Sequence, residues 1–184
     1  NNYSSLVSKL EITKKFPKIN KAWEKIGNLF IKDSKINVLN GIHDSNASYL
    51  YFKNSSLKNF TLVSTGTWYI IFNQSTKLSK LNPKLDMLCS IDIFGNHVPT
   101  MRFMGGREYD TLCDLLKITK KTVSKINEKD LINNLIYPSF ASAGPFKINK
   151  NLSRIKTIKL SNNQKYSLVC IYMAFTLNFC LDYM

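Results

Sequence analysis

The stretch FTLVSTGTWYIIF, residues 60–72, decides the fold that the sequence predicts. β-Branched and aromatic residues fill both of its arms, as they do in strands. Thr65-Gly66 stands between the arms, where a tight turn favours glycine. We therefore expect an antiparallel hairpin with one strand over 60–64 and the other over 67–72.

Strands and helices alternate on both sides of this hairpin. Upstream, residues 36–42 predict a strand that enters a sharp glycine turn, with a helix from Ser45. Downstream, residues 89–103 predict a second hairpin around Gly95-Asn96, whose first strand alternates apolar and polar residues. Gly105-Gly106 then opens a helix with one apolar face. This mixture of elements predicts an α/β fold.

The N-terminal residues follow a different pattern. Residues 3–10 and 19–26 predict two short helices, separated by the break at Phe16-Pro17. Helical spacing then gives way to strand-like runs. We therefore place a domain boundary between residues 1–35 and residues 36–184.

The C-terminal third predicts a helix, a loop and a second, longer helix. The first helix falls near 128–135, and residues 137–146, with two prolines and a glycine, predict an ordered loop. Ser161-x-x-Gln164 is a capping-box pattern in front of the last helix. That helix is apolar on nearly all sides from Leu168, so neighbouring structure is expected to cover it. Its apolar stretch is shorter than the roughly 20 residues of a bilayer span, so we predict no membrane partner.

The chain is strongly basic, with 26 Lys and Arg against 12 Asp and Glu and a formal charge of +14. An excess of this size is compatible with nucleic acid, anionic lipid or phosphorylated ligands. The lysines occur singly or in pairs, whereas a binding tract usually gathers its cations on one element, so a solvated surface without a nucleic-acid partner is favoured. A basic nucleic-acid-binding module that also uses Trp23, Trp68 and Tyr69 is a rival interpretation.

Cysteine spacing argues against a zinc site. The four cysteines, at 89, 113, 170 and 180, form no Cys-x-x-Cys pair, and the chain has two histidines. Free buried thiols in a reducing compartment are the favoured interpretation. The predicted location is therefore the cytoplasm.

Three local features carry residue types that phosphoryl transfer needs. Asp44 follows a predicted strand, Ser64-Thr65-Gly66-Thr67 forms a hairpin turn, and Gly105-Gly106 opens a helix. A carboxylate can accept a hydroxyl proton, and turn N–H groups with threonine hydroxyls can bind phosphate oxygens. Taken singly, each feature is explained by local structure: a helix cap, a turn, or the start of a helix. Their order along the chain is more informative than any one of them.

That order resembles the FGGY carbohydrate kinases, including rhamnulose-kinase-like members. GIHDS at 41–45 is followed by STGTW at 64–68 and by FMGGRE at 103–108. The segments PSF at 138–140 and GPF at 144–146 resemble a later loop of the family. The resemblance runs through most of the chain, and the ordered set of motifs is much more specific than any member.

The resemblance implies an architecture of two actin-like, ribonuclease-H-fold lobes, with sugar and nucleotide between them. Residues 1–35 would be the tail of the first, sugar-binding lobe and the linker. Residues 36–184 would be the N-terminal part of the second, nucleotide-binding lobe, which is incomplete. The family's N-terminal phosphate loop and its adenosine motif would lie outside the chain, so the chain alone should not be an active kinase.

The resemblance also implies roles for individual residues. Asp44 matches the position of the family's general base. The predicted nucleotide or phosphate contacts are Thr65, Gly66, Thr67, Gly106 and Asp110, the last at a position where glycerol-kinase-like relatives have a glutamine. The predicted sugar contacts are the two neighbours of the base, His43 and Ser45.

The function implied is ATP-dependent phosphorylation of a sugar hydroxyl, with ATP and Mg²⁺ as cofactors. We assign no metal ligand in this chain. The expected partners are the sugar and ATP, and a homodimer is possible. A non-catalytic actin-like scaffold, with the fold but no activity, is a second rival interpretation.

Overall fold

A computed structural model of the chain describes residues 3–55, 57–146, 154–157 and 159–184. The α-helices are α1 (Ser5–Lys9), α2 (Asp44–Lys53), α3 (Gly105–Leu115), α4 (Glu128–Asn133) and α5 (Asn162–Asp182). The strands are β1 (Lys25–Ile31), β2 (Ser34–Leu39), β3 (Leu62–Ser64), β4 (Tyr69–Phe72), β5 (Met87–Ile91), β6 (His97–Phe103), β7 (Leu135–Tyr137) and β8 (Arg154–Lys156). Short 3₁₀ turns lie at Thr13–Lys15, Leu78–Lys80 and Pro83–Leu85.

Both predicted hairpins are confirmed, and they join in one antiparallel sheet. The strand order is β3-β4-β6-β5, so the second strand of each hairpin pairs with that of the other. Ile71 on β4 lies opposite Met101 on β6, and both side chains are fully buried. Burial of β-branched and large apolar side chains on a shared face stabilises such pairing. The two hairpins thus form the sheet against which the helices pack.

The main core lies between this sheet and the helices α3 and α5. Leu112 of α3 and Val169 of α5 are fully buried in the same cluster as Ile71 and Met101. All four cysteines are free, but the prediction that they are buried holds only for Cys113 and Cys180, because Cys170 is half-buried and Cys89 is exposed. Burial raises the pKa of the Cys180 thiol to about 12, so this thiol stays neutral at physiological pH.

At the end of β5 the apolar residue faces solvent and the polar residue after it is buried, which is the reverse of the usual pattern. Ile91 is 56% exposed, whereas the neighbouring Asp92 is only 8% exposed. Asp92 is buried because its carboxylate pairs with Lys53 of α2 and accepts hydrogen bonds from the backbone N–H groups of Phe94 and Asn96. A satisfied carboxylate can be buried at this turn, and the hairpin is thereby tied to α2.

The predicted helix over 19–26 is wrong. No helix forms there, and β1 begins at Lys25 and pairs antiparallel with β2 from Lys25↔Leu39 to Ile31↔Ser34. β1 and β2 form a hairpin across Lys32 and Asp33, and this strand pairing outweighs the weak local helical spacing. The boundary predicted near residue 36 falls inside this hairpin and stays a prediction. The other predicted N-terminal helix is confirmed in shorter form as α1.

Both predicted C-terminal helices are confirmed. α4 forms as predicted but ends at Asn133, because Leu135 begins β7. The Ser161 side chain and Gln164 form the predicted capping box at the start of α5. One face of α5 packs in the core, and the other lines an open apolar groove of about 490 Å³ with α4 and β7. Within the described ranges, no helix combines the length and apolarity needed to cross a membrane.

Candidate active site

A cavity of about 330 Å³ lies where the start of α2 faces the turn between β3 and β4. Asp44 and the turn residues Thr65, Gly66 and Thr67 all line it. His43 and Ser45 line it as well. Two motifs that are about twenty residues apart in sequence therefore share one open space.

The start of α2 presents the Asp44 carboxylate to solvent. Gly41, with φ of +79°, reverses the chain after β2 in a conformation that disfavours any residue with a Cβ. His43 is the extended N-cap residue, and Asp44 is the first residue of the helix. The Asp44 side chain is 91% exposed. The carboxylate is therefore open to a ligand in the cavity.

Every contact that the described residues make with the Asp44 carboxylate falls on Oδ1. The Ser45 backbone N–H donates to it at 2.6 Å, and Nδ1 of His43 lies 2.8 Å from it. The Ser45 hydroxyl is 3.3 Å away. Oδ2 thus keeps its lone pairs for a donor outside the described structure, such as a ligand hydroxyl.

Two of these contacts compete for His43. Its Nδ1 lies 3.3 Å from the Ser45 backbone nitrogen as well as 2.8 Å from Asp44. We assign Nδ1–H as a donor to Asp44, because the Ser45 N–H already makes a shorter bond to the same carboxylate. In that tautomer His43 orients Asp44 and keeps Nε2 as an acceptor.

Ser45 connects the helix to the sheet. It is buried, and its hydroxyl lies 3.4 Å from the Ser64 hydroxyl at the end of β3. This contact holds the start of α2 beside the 65–67 turn. The structure therefore places Ser45 as a link between the two motifs, and its contact with sugar stays a prediction.

The glycines of the turn and of α3 meet directly. The Gly106 N–H donates to the Gly66 carbonyl at 3.1 Å, and a Cβ on Gly106 would lie 2.4 Å from that oxygen. Glycine is required at 106 for this close approach. Gly66 itself has no left-handed φ, and a Cβ there would approach only the Trp68 carbonyl oxygen, at 3.9 Å.

Gly106 and Asp110 lie outside the cavity lining. The Gly106 N–H is already bonded to the turn. Asp110 is exposed, one turn further along α3. Nucleotide contacts at both positions stay predictions.

Comparison with known proteins identifies the family. The family described as "Carbohydrate kinase FGGY, C-terminal domain" matches residues 57–184. The chain belongs to the FGGY carbohydrate kinase family. The predicted actin-like, ribonuclease-H-like fold is thereby confirmed, as is the predicted recognition.

A solved structure of a carbohydrate kinase agrees with this assignment. The crystal structure of a carbohydrate kinase from Novosphingobium aromaticivorans matches with a TM-score of 0.70 and 25% sequence identity. The match covers 98% of this chain and 43% of that kinase. No curated protein matches the chain. The chain thus spans less than half the length of this kinase.

Sequence analysis missed Arg102 of this FGGY domain. Arg102 lines the same cavity, with its guanidinium carbon 4.8 Å from the centre of the Trp68 ring. Its Nε lies 3.2 Å from Oδ1 of Asp86. The strand pattern of β6 contained a signal, because Arg102 is a lone cation within a run of buried residues.

Sequence analysis also missed Glu108, which is 2% exposed on α3. Its carboxylate accepts hydrogen bonds from the backbone N–H groups of Phe140 and Ala141 at 2.8 to 2.9 Å and from the Tyr172 hydroxyl at 2.9 Å. Burial, with the charge of Glu108 beside it, raises the pKa of Tyr172. A glutamate on the apolar face of a helix was the available signal.

The described residues contain no group of three or more His, Cys, Asp and Glu that could hold a metal ion. The described cavity lining offers one carboxylate, that of Asp44. Mg²⁺ is usually bound by one or two carboxylates together with phosphates and water. A metal site in this part of the FGGY protein therefore stays a prediction without an assigned ligand.

Proposed function

We propose that this chain supplies the general base and one phosphate-binding turn of a kinase that transfers a phosphoryl group from ATP to a sugar hydroxyl. One observation carries the proposal: Asp44 and the 65–67 turn line a single open cavity of about 330 Å³. A hydroxyl and a terminal phosphate can both fit in a space of this size. Membership of the FGGY carbohydrate kinase family supports the same reaction class.

Asp44 acts on the acceptor. Its Oδ2 takes the proton of the sugar hydroxyl as the hydroxyl oxygen attacks the γ-phosphorus, and the bond from that phosphorus to the bridging oxygen of ADP breaks. His43 donates to Oδ1 and holds the carboxylate in place. The base is therefore oriented before the substrate arrives, which favours reactive geometry.

The 65–67 turn acts on the phosphate. The hydroxyls of Thr65 and Thr67 and the N–H groups of an exposed turn can donate to phosphate oxygens as their charge shifts. Gly106 supports the turn by its bond to the Gly66 carbonyl. Bound Mg²⁺ would supply positive charge that offsets the charge of the phosphates, and no residue of this chain is assigned as its ligand.

The proposal is tested by Asp44→Asn in the full-length protein. ADP release is measured with ATP and a panel of ketoses, aldoses and polyols. We expect kcat to fall roughly a hundredfold or more, because the amide cannot accept the proton. Asp114→Asn, on the exposed face of α3, removes the same charge and should leave kcat within about twofold of the wild type.

Unchanged turnover in Asp44→Asn would remove the base assignment. A wild-type protein that binds ATP but phosphorylates no sugar in the panel would favour the scaffold instead. The chain covers 43% of its structural relative, so activity of the chain by itself is not part of the proposal. The same proposal includes the sugar and ATP as ligands, Mg²⁺ as a cofactor, a homodimer as a candidate assembly and a cytoplasmic location. It includes no nucleic-acid or membrane partner.

A further inference from the structure

Arg102 lines the cavity that Asp44 and the 65–67 turn share. We infer that its guanidinium binds the phosphate group that is transferred, an inference that rests on the proposed function. Arg102 is thereby a catalytic residue in addition to Asp44. Its role is to neutralise phosphate charge during transfer.

Strand register directs Arg102 to this cavity. Ser64 lies opposite Ile70 in the β3–β4 pair, and Ile70 lies opposite Arg102 in the β4–β6 pair. Directly opposed residues project from the same face of a sheet. All three residues line the cavity. Arg102 therefore belongs to the row of side chains that faces α2 and Asp44.

Two neighbours hold the guanidinium in place. The Trp68 ring lies 4.8 Å from its central carbon, which is a cation–π arrangement. Asp86 accepts from Nε at 3.2 Å, and its other oxygen accepts from the Gly144 N–H at 3.1 Å. A guanidinium has five N–H donors in a rigid fork, so binding at Nε leaves the terminal nitrogens as donors for a phosphate.

The charge balance of the cavity favours a phosphate ligand. Among the described lining residues, Arg102 is the only one with a permanent positive charge, and Asp44 is the only carboxylate. A transferring phosphoryl group carries negative charge on its oxygens and is stabilised by an arginine placed beside it. Without Arg102, Asp44 would leave the described lining unfavourable for an anion.

A purely structural role for Arg102 is the competing explanation, because Asp86 links it to the loop at Gly144. The exposure of the Arg102 side chain indicates that a structural role is not its only role. The Arg102 side chain is 42% exposed, whereas that of Asp86 is 17% exposed. The acid is held inside, and the guanidinium extends toward the cavity. The two roles make different predictions for a variant that lacks the cation.

The test replaces Arg102 by methionine and by lysine in the full-length protein. We expect kcat/KM for ATP to fall about a hundredfold in Arg102→Met, with KM for the sugar within threefold of the wild type. Arg102→Lys should recover part of the loss. Added guanidinium chloride, below denaturing concentration, should raise the rate of Arg102→Met, which loss of a structural contact would not allow. Lys129→Met, on the exposed face of α4, is the control for loss of one positive charge.

Calorimetric titration with inorganic tripolyphosphate separates this inference from the kinase proposal. If the wild type binds tripolyphosphate but phosphorylates no sugar, loss of that binding in Arg102→Met still supports the phosphate contact. The inference is overturned if the wild type is active and Arg102→Met stays within threefold of it. It is also overturned if the loss follows a lowered Tm without guanidinium rescue, if only KM for the sugar changes, or if the wild type binds no polyphosphate.

Discussion

The Gly106 N–H donates to the carbonyl oxygen of Gly66 at 3.1 Å, so the first turn of α3 supports the hairpin turn at the candidate site. This bond joins two motifs that are forty residues apart in the sequence. It also leaves no room for a side chain, because a Cβ on Gly106 would lie 2.4 Å from that oxygen and 3.0 Å from the Thr67 Cα. The shape of the turn therefore depends on the absence of a methyl group.

We expect Gly106→Ala to destabilise the protein by about 1–3 kcal/mol and to raise KM for ATP, because the new methyl group displaces backbone at the turn. Unfolding in urea and steady-state kinetics measure the two effects. Gly27→Ala is the matched control, since a Cβ there meets nothing within 4 Å. If Gly106→Ala behaves like Gly27→Ala in both assays, the turn does not depend on this approach.

The hairpins could be predicted from sequence because their signals are local. β-Branched runs around Thr65-Gly66 predict a hairpin without reference to the rest of the chain. Asp44 was singled out because GIHDS, STGTW and FMGGRE follow one another in an order that resembles the FGGY kinases. The structure brings both motifs to one cavity. The chemical roles that the family resemblance implies for them stay predictions.

The missed features depend on strand pairing and on contacts between residues that are far apart in the sequence. The predicted helix over 19–26 was wrong because β1 pairs with β2, and such pairing is not visible in local spacing. Arg102 faces the cavity only through the register of β6 against β4. Glu108 is buried only because a loop more than thirty residues away donates to it. Register and loop packing are tertiary facts that a periodicity cannot supply.

Gly41→Ala tests the chain reversal in front of Asp44. Gly41 has φ of +79° and open space around it, so the substitution adds conformational strain without a clash. We expect a loss of about 1–2 kcal/mol in stability. Because Asp44 follows three residues later, kcat should fall more than KM for ATP rises. Gly27→Ala again serves as the control. Equal kcat in the two variants would mean that the chain reversal at Gly41 does not determine the position of Asp44.

Glu108→Gln tests the buried carboxylate that holds the loop at 139–141. Glutamine has nearly the same shape but loses the charge and one acceptor oxygen, so at least one of the donors from Phe140, Ala141 and Tyr172 loses its partner. We expect a destabilisation of about 1–3 kcal/mol. Amide hydrogen exchange at Phe140 and Ala141 should become faster. Glu11→Gln, at an exposed position, should change neither the stability nor the exchange rates. Unchanged exchange in Glu108→Gln would mean that Glu108 does not hold the loop.

Asp92 gives the protein a pH dependence that can be separated from that of the site. Burial acts to raise the pKa of Asp92, but hydrogen bonds from Lys53 and Asn96 and the charge of Lys53 outweigh burial, so its pKa is lowered. A carboxyl whose pKa is lower in the folded state stabilises that state above its unfolded pKa of about 4. The contribution is lost as the pH falls from there through the folded value. Asp92→Asn should therefore cost stability at pH 7, and the difference from the wild type should shrink below about pH 4.

Urea unfolding at a series of pH values from neutral to acid measures this difference directly. Asparagine at 92 can still accept from the backbone N–H groups of Phe94 and Asn96, so the variant chiefly removes the charge that Lys53 pairs with. Asp114→Asn removes an exposed carboxylate and should give a small difference at every pH. A difference for Asp92→Asn that stays constant with pH would mean that the ion pair with Lys53 does not stabilise the fold. In that case the link between α2 and the β5–β6 hairpin rests on packing and neutral hydrogen bonds.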